Sequence, residues 1–551
     1  MGRRTGGRPA ARLLSTRNVL KGKFVPALKV FSVLAVLATQ TPAVEAQSLT
    51  LVTSETVDSL RSDQLLHGVM SGQSLLLRSA SSLTPAAGYG VRAITPQFLF
   101  VTNSALPFSQ NDGAMWAGRG LSSRALVGVK VEASHARLIL APELVSSSNL
   151  NWALSPAPFR LPARQPGRSE FTLPYYVGMF SIDQPLRFGD RPVRRFDPGQ
   201  SSAIVSARSM EFGISNENEW WGPGIQNAIV LSNNAPGFPH LFIRTARPLP
   251  TRLGGLEVRW LVGGLTESKF FDTVSTNNTR SLASIAATLQ TAWDPNLSFG
   301  FARSVYAAST GWGDVPWRWL DVFARTHNST SGRKRDQLFS LFSRWVFPAD
   351  GVEVYAELAR TRLKPSLRDI LIEPNDTQGY TIGLQWRGAV WHEGTFRVQT
   401  EATQLEQSAT FRDHPVPSWY ASSDVVQGYT NRGEVLGAWI GPGASSQWLA
   451  VDYLREAWRL GWYLGRVRWN EDVHSTSNLP PYVRYCSHDV SLYPGVRTAR
   501  TGILGMISAD LSFQNRMNVF FQNEGGCPNI GPRLDIRNTT LSISFSPAIH
   551  R

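Results

Sequence analysis

Apolar and charged residues alternate with period two along many short stretches of this chain, and that alternation predicts strands. Leu256-Glu257-Val258-Arg259-Trp260 is one such stretch. Val352-Glu353-Val354-Tyr355-Ala356-Glu357-Leu358 and Phe396-Arg397-Val398-Gln399-Thr400-Glu401 repeat it. Each has one apolar and one charged face. A soluble sandwich would turn the charged face outward. If lipid meets the apolar face instead, Glu257, Arg259, Glu353, Glu357, Arg397 and Glu401 must point into a wet or hydrogen-bonded interior. The fold class predicted is all-β, a transmembrane antiparallel β-barrel. The roughly 450 residues after position 90 suffice for about 16–18 strands of about 9–11 residues with their loops.

Ahead of the strands, Val57-Asp58-Ser59-Leu60-Arg61-Ser62-Asp63-Gln64-Leu65-Leu66-His67 reads as a short amphipathic helix. Asp58 suits its positive N-terminal end, and Gly68 is its stop. Residues 47–90 are therefore expected to form a periplasmic helical segment before a barrel over 91–551. At the far end, Leu541-Ser542-Ile543-Ser544-Phe545 puts large apolar side chains on one face and small hydroxyls on the other. An aromatic terminal strand resembles the signal by which outer-membrane barrels are recognised for assembly, although residues 546–551 extend past Phe545. Pro and Gly concentrate at 156–167, 185–199, 236–250, 414–417 and 478–495, which are expected to be loops or lumenal insertions.

The first residues change the compartment. Arg3, Arg4, Arg8, Arg12, Arg17, Lys21, Lys23 and Lys29 accompany an apolar run over 30–38 and then Val44-Glu45-Ala46-Gln47. This is the pattern of a signal peptide over 1–46. Thr5-Gly6-Gly7 after Arg3-Arg4 favours general secretion over a twin-arginine route. Half of the formal charge of +14 belongs to that leader, leaving +7 on the exported chain. No later apolar segment reaches the roughly 18 residues of a membrane helix. Aromatics make up 11% of the chain, with 18 Trp, which fits the girdles of an outer-membrane barrel. In an oxidising compartment Cys486 and Cys527 are candidates for one disulfide between two late loops. Outer-membrane lipid is an expected partner, and nucleic acid is not. Arg333-Lys334-Arg335 reads as a solvated loop.

The most specific local signal is Glu217-Asn218-Glu219-Trp220-Trp221-Gly222-Pro223-Gly224, followed by Leu231-Ser232-Asn233-Asn234. Indole faces stack on sugar C–H faces, and amides bond hydroxyls. The alternative is that the Trp pair packs a turn and the amides satisfy buried backbone groups. Further motifs are Asp112-Gly113-Ala114-Met115-Trp116-Ala117-Gly118-Arg119-Gly120, Arg187-Phe188-Gly189-Asp190, Asp197-Pro198-Gly199-Gln200 and Gln427-Gly428-Tyr429-Thr430-Asn431-Arg432-Gly433. Together they resemble the Wzi-like capsule assembly family over about residues 50–545. The resemblance implies an eighteen-stranded outer-membrane barrel with an N-terminal helical element, acting as a lectin for capsular polysaccharide or exopolysaccharide. Motif chemistry nominates Trp220 and Trp221 for stacking and Asn233, Asn234 and Asn431 for hydroxyl bonding. Arg432 is nominated for pairing with an acidic substituent.

Two other function classes remain open at this level. A porin or export channel shares the architecture, and only an occluded lumen separates it from a lectin. A barrel enzyme would need a positioned site. His414, Ser418 and Asp424 lie close in sequence, but no H-E-x-x-H, Gly-x-Ser-x-Gly or Walker A motif accompanies them. No catalytic residue, cofactor or metal is assigned.

Overall fold

The computed structural model describes residues 54–69, 74–84, 89–152, 171, 181–326, 334–362, 366–408, 416–475, 488–521 and 535–548. The expected leader over 1–46 and both Cys486 and Cys527 lie outside the described residues. Within 47–551, twenty-one hydrogen-bonded segments close into one antiparallel barrel. Three strands are interrupted: Ala136–Leu140 continues as Glu143–Ser147, Val193–Asp197 as Ser202–Ala207, and His240–Thr245 as Leu249–Thr251. The barrel among the described residues is thus eighteen-stranded. It closes where Phe98–Asn103 pairs with the end of the last strand, from Phe98 opposite Phe545 to Asn103 opposite Thr540.

The alternation read from the sequence is the physical basis of this closure. In Val352–Arg360, Glu353 and Glu357 are buried inside while Val354 and Leu358 are exposed on the outer wall. Arg259, Arg397 and Glu401 are buried as well. Phe299, Leu341, Trp345, Ile382, Leu449 and Trp462 continue the exposed apolar belt. Only a medium without water lets such a face remain uncovered while charges turn inward.

Connections alternate strictly in length. Short turns at 133–135, 208–209, 252–253, 292–296, 348–351, 392–393, 456–457 and 503–504 lie at one end. Long connections, such as 104–119, 216–239 and 405–444, lie at the other. The helix expected near Val57 runs Ser54–His67 and is called α1. Gly68, at φ +77°, donates its N–H to the Gln64 carbonyl and ends it, as the left-handed conformation favours. Val69 then donates its N–H to Asn296 in a short turn at 2.9 Å, which ties α1 to the short-turn end.

Several Pro- and Gly-rich segments expected to be loops run into strands. The segment 185–199 includes Val193–Asp197, 236–250 includes His240–Thr245, and 478–495 runs into Asp489–Gly502. Pro494 is accommodated because pairing with the next strand jumps from Leu492 opposite Asn515 to Gly495 opposite Ser512. The missing N–H falls where the ladder is already irregular. The segment 156–167 lies outside the described residues. Arg335 opens the strand Arg335–Phe347 and pairs with Asp321 at 3.1 Å.

Candidate functional site

The long connection 216–239 and the described parts of the connection 405–444, residues 405–408 and 416–444, fold into the barrel and carry their own apolar core. Trp221, Ile229, Leu231, Trp419, Tyr420, Tyr429 and Leu436 are all buried there. Inward-facing strand residues hold the backbone of these insertions. The Glu401 carboxylate accepts the N–H groups of Ile225, Gln226 and Asn227 at 2.5, 3.1 and 2.8 Å, and the Tyr355 hydroxyl at 2.8 Å. Arg280 donates to the carbonyls of Gly428 and Thr266, each at 2.9 Å. Gly222, at φ +108°, adopts a backbone conformation that residues with a side chain rarely take, and its missing Cβ position lies 3.0 Å from the Glu357 carboxylate.

At the short-turn end α1 lies against the same inner wall. Asp58 accepts two bonds from Arg397 and one from Arg459, all at 2.9 Å. Burial raises the Asp58 pKa, but Arg397, Arg459 and Arg497 together outweigh it, so the carboxyl is held well below its usual range. Arg61 and Arg344 share Glu353, at 2.8 Å from each.

Between α1, the insertions and the wall formed by the last strands there remains a cavity of about 470 Å³. One side carries small hydroxyls: Ser508, Ser512, Thr540, Ser542, Ser544 and Ser546. Ser508 and Ser544 hydrogen-bond each other at 2.7 Å. The other sides carry Trp220, Trp448, Tyr463 and Tyr493 with Arg78, Arg124 and Arg497. Arg497 is fixed by Asp452 at 2.7 and 2.8 Å and stacks over Trp448 at 5.2 Å.

Arg78 owes its place to an inner sheet. Leu77–Ser79 pairs antiparallel with Glu219–Trp221, setting Arg78 opposite Trp220 and Leu77 opposite Trp221. Its guanidinium lies 5.1 Å from the Trp220 ring centroid. Six buried polar atoms on cavity residues have no hydrogen-bond partner among the described residues: Arg78 Nε, Gln110 Nε2, Trp220 Nε1, Arg459 Nε, Asn111 Oδ1 and Glu143 Oε2. Four are donors and two acceptors, a mixture that suits a polyhydroxylated ligand.

Of the residues nominated from sequence, Trp220 and Asn233 line this cavity. The others sit elsewhere. Trp221 is fully buried, with its indole N–H on Glu219 at 3.1 Å, so its ring offers no face for stacking. Asn431 is buried and spends its amide on Pro236, Gly237 and Thr266. Asn234 donates to the Val435 carbonyl at 2.8 Å. Arg432 pairs with Asp197 away from the cavity. Asn234 and Asn431 brace one insertion against the other, which is the structural alternative stated for the amides, and Arg432 ties the second insertion to the strand Val193–Asp197. Arg78, Trp448, Tyr463, Tyr493 and Arg497 also line the cavity and carry no local motif in the sequence. The hydroxyl face of the last strand was visible in Ser542 and Ser544, but its partners come from distant strands.

Fold and site define a class: an outer-membrane β-barrel whose lumen is occupied by its own loops and retains a polar, aromatic-lined cavity. The chain belongs to the Wzi capsule assembly protein family, whose model, "Capsule assembly protein Wzi", matches residues 120–502. Among solved structures it is similar to Wzi of Escherichia coli, described as an outer-membrane, carbohydrate-binding β-barrel involved in group 1 capsule assembly. The two share 11% identity with a TM-score of 0.52, covering 93% of this chain and 91% of that one. OccK2 of Pseudomonas aeruginosa is matched at 9% identity and TM-score 0.37, over 83% of this chain and 98% of that one. OprD of the same organism is matched at 12% and 0.36, over 83% and 94%. No curated protein matches the chain.

Proposed function

We propose that this barrel attaches or assembles a capsular polysaccharide or exopolysaccharide at the cell surface by holding sugar units in its lumenal cavity. The observation that carries the proposal is the cavity itself, whose lining combines residues with unpartnered donors and acceptors, a row of small hydroxyls, and the aromatics Trp220 and Tyr493. Its size falls in the range of about 300–1,000 Å³ typical of small-molecule sites, so it suits a few sugar residues rather than a threading polymer. Trp220 supplies a stacking face and Asn233 a hydroxyl partner. The filled lumen favours a holding role over conduction, and the reading requires neither catalysis nor a cofactor.

Short turns of bacterial barrels face the periplasm and long loops the exterior. On that basis α1 stands at the periplasmic mouth, and the exposed apolar belt meets outer-membrane lipid. The test compares cell-bound with released polysaccharide in cells with and without the protein, alongside pull-down of the polymer by the purified barrel. Loss of retention and direct pull-down are expected. Unchanged retention with no pull-down would overturn the proposal.

A further inference from the structure

Arg78 is the odd cation of the lumen. It is only 8% exposed, yet its guanidinium meets no carboxylate among the described residues. Its nearest acceptors are the carbonyls of Gly222 and Gly224 at 3.5 and 3.4 Å, beyond the usual range of a strong bond. The neighbouring acids are already committed. Glu353 is shared by Arg61 and Arg344, and Glu401 is occupied by three backbone N–H groups and Tyr355. Burial, with Arg61 and Arg344 close by, lowers the Arg78 pKa well below its ordinary value, which marks an environment short of negative charge.

A buried guanidinium without an anion is costly, and a fold retains one where a ligand supplies the charge. Arg78 Nε and Trp220 Nε1 are both buried donors without a partner, and both belong to the cavity lining. The two residues stand opposite each other in register, with the cation over the ring. Two neighbouring N–H donors match the two oxygens of a carboxylate. Sugar hydroxyls would then find acceptors in Asn111 Oδ1 and Glu143 Oε2.

We infer that Arg78 and Trp220 form an acidic-sugar subsite inside the barrel, in which the carboxylate of a uronic-acid-type residue accepts N–H bonds from Arg78 Nε and Trp220 Nε1. The inference rests on the polysaccharide-holding reading above and adds the charge of the sugar held. Arg124, the other cavity arginine without an ion pair, donates to the Asp112 carbonyl at 3.1 Å and interacts electrostatically with Glu143 and Asp112. Arg78 then leaves one positive charge to balance, so a carboxylate fits better than a dianionic phosphate.

The experiment measures binding of methyl glucuronide, methyl glucoside and glucose 1-phosphate to the full detergent-solubilised barrel by calorimetry. Polymer pull-down is run on the same preparation. Methyl glucuronide is expected to bind best, and Arg78→Gln is expected to weaken it by about tenfold or more while leaving the glucoside unchanged. Trp220→Phe removes the N–H and reduces the stacking face, and is expected to give a smaller loss than Arg78→Gln that is larger for the glucuronide than for the glucoside. It carries the test if Arg78→Gln fails to show heat-modifiable, folded barrel. Equal binding of glucuronide and glucoside, or tighter binding of glucose 1-phosphate, overturns the carboxylate subsite. If the polymer is still pulled down in that case, the polysaccharide reading stands alone; if it is not, both fall.

Discussion

Replacing Glu401 with Ala should open the barrel, because one carboxylate holds the apex of the 216–239 insertion inside it. Glu401 accepts the N–H groups of Ile225, Gln226 and Asn227, and Ala would leave all three without an acceptor. At about 1–2 kcal/mol for each orphaned buried donor, the inserted state loses roughly 3–6 kcal/mol. That shifts the balance between inserted and released loop by about two to four orders of magnitude. The loop also keeps a longer bond from Ile229 N–H to Glu357 at 3.3 Å and its apolar contacts with Trp419 and Tyr420. Release should therefore be frequent rather than complete. Glu401→Gln retains one carbonyl acceptor and should lose about 1–3 kcal/mol. The assay is single-channel recording in planar bilayers, with hydrogen exchange over 222–231 on the same protein. Wild type should conduct poorly and protect these amides, while Glu401→Ala should show long open events and rapid exchange. A folded Glu401→Ala barrel that stays closed and protected would refute the anchoring role of this carboxylate. Porin-like conductance in wild type would refute the occluded lumen.

Three further outcomes test other parts of the structure. Asp58→Asn should detach α1, seen as rapid exchange and proteolysis of residues 54–67, because it removes the carboxylate that Arg397 and Arg459 share. Its depressed pKa means that the contribution is present above the ordinary carboxylate pKa of about 3.9 and is lost only as pH falls through the lower folded value, so α1 should stay protected at about pH 4 in wild type. Burial pushes Glu267 up to about 7, with the Gln427 amide opposing and Asp272 and Asp183 adding to the rise. The folded protein then binds an extra proton between about pH 4.3 and 7, so the packing of the 267–278 connection should weaken as pH rises through that window, and Glu267→Gln should flatten the dependence in hydrogen exchange. Trp221→Ala should remove about 3–5 kcal/mol from the fully buried lumenal core and deplete heat-modifiable barrel from the membrane, whereas Trp220→Phe should leave its abundance unchanged.

The barrel was legible because its signal is local. Period-two alternation in Val352–Arg360 or Gly394–Gln404 fixes the two faces of a strand without any knowledge of its neighbours. The helix end at Gly68 and the strand at Leu541–Phe545 were likewise local. Lumen contents were not. The stretches after Glu217 and after Gln427 looked like ligand surfaces, yet much of their chemistry is spent internally: Trp221 and Asn431 satisfy or fill a loop core that forms only once two insertions, nearly two hundred residues apart, meet. Nothing in either segment names the other. Strand charges such as Glu401 were read as pointing into a wet or hydrogen-bonded interior, and Glu401 takes the second form, with backbone amides of the folded-in loop as its partners. This also explains why Arg78 escaped notice. A lone arginine in a short segment before the barrel is unremarkable in sequence and becomes informative only when Glu353 and Glu401 are seen to be taken by other groups. In a plugged barrel the paired charges hold the plug, so function is best sought at the charge that the plug leaves unpaired.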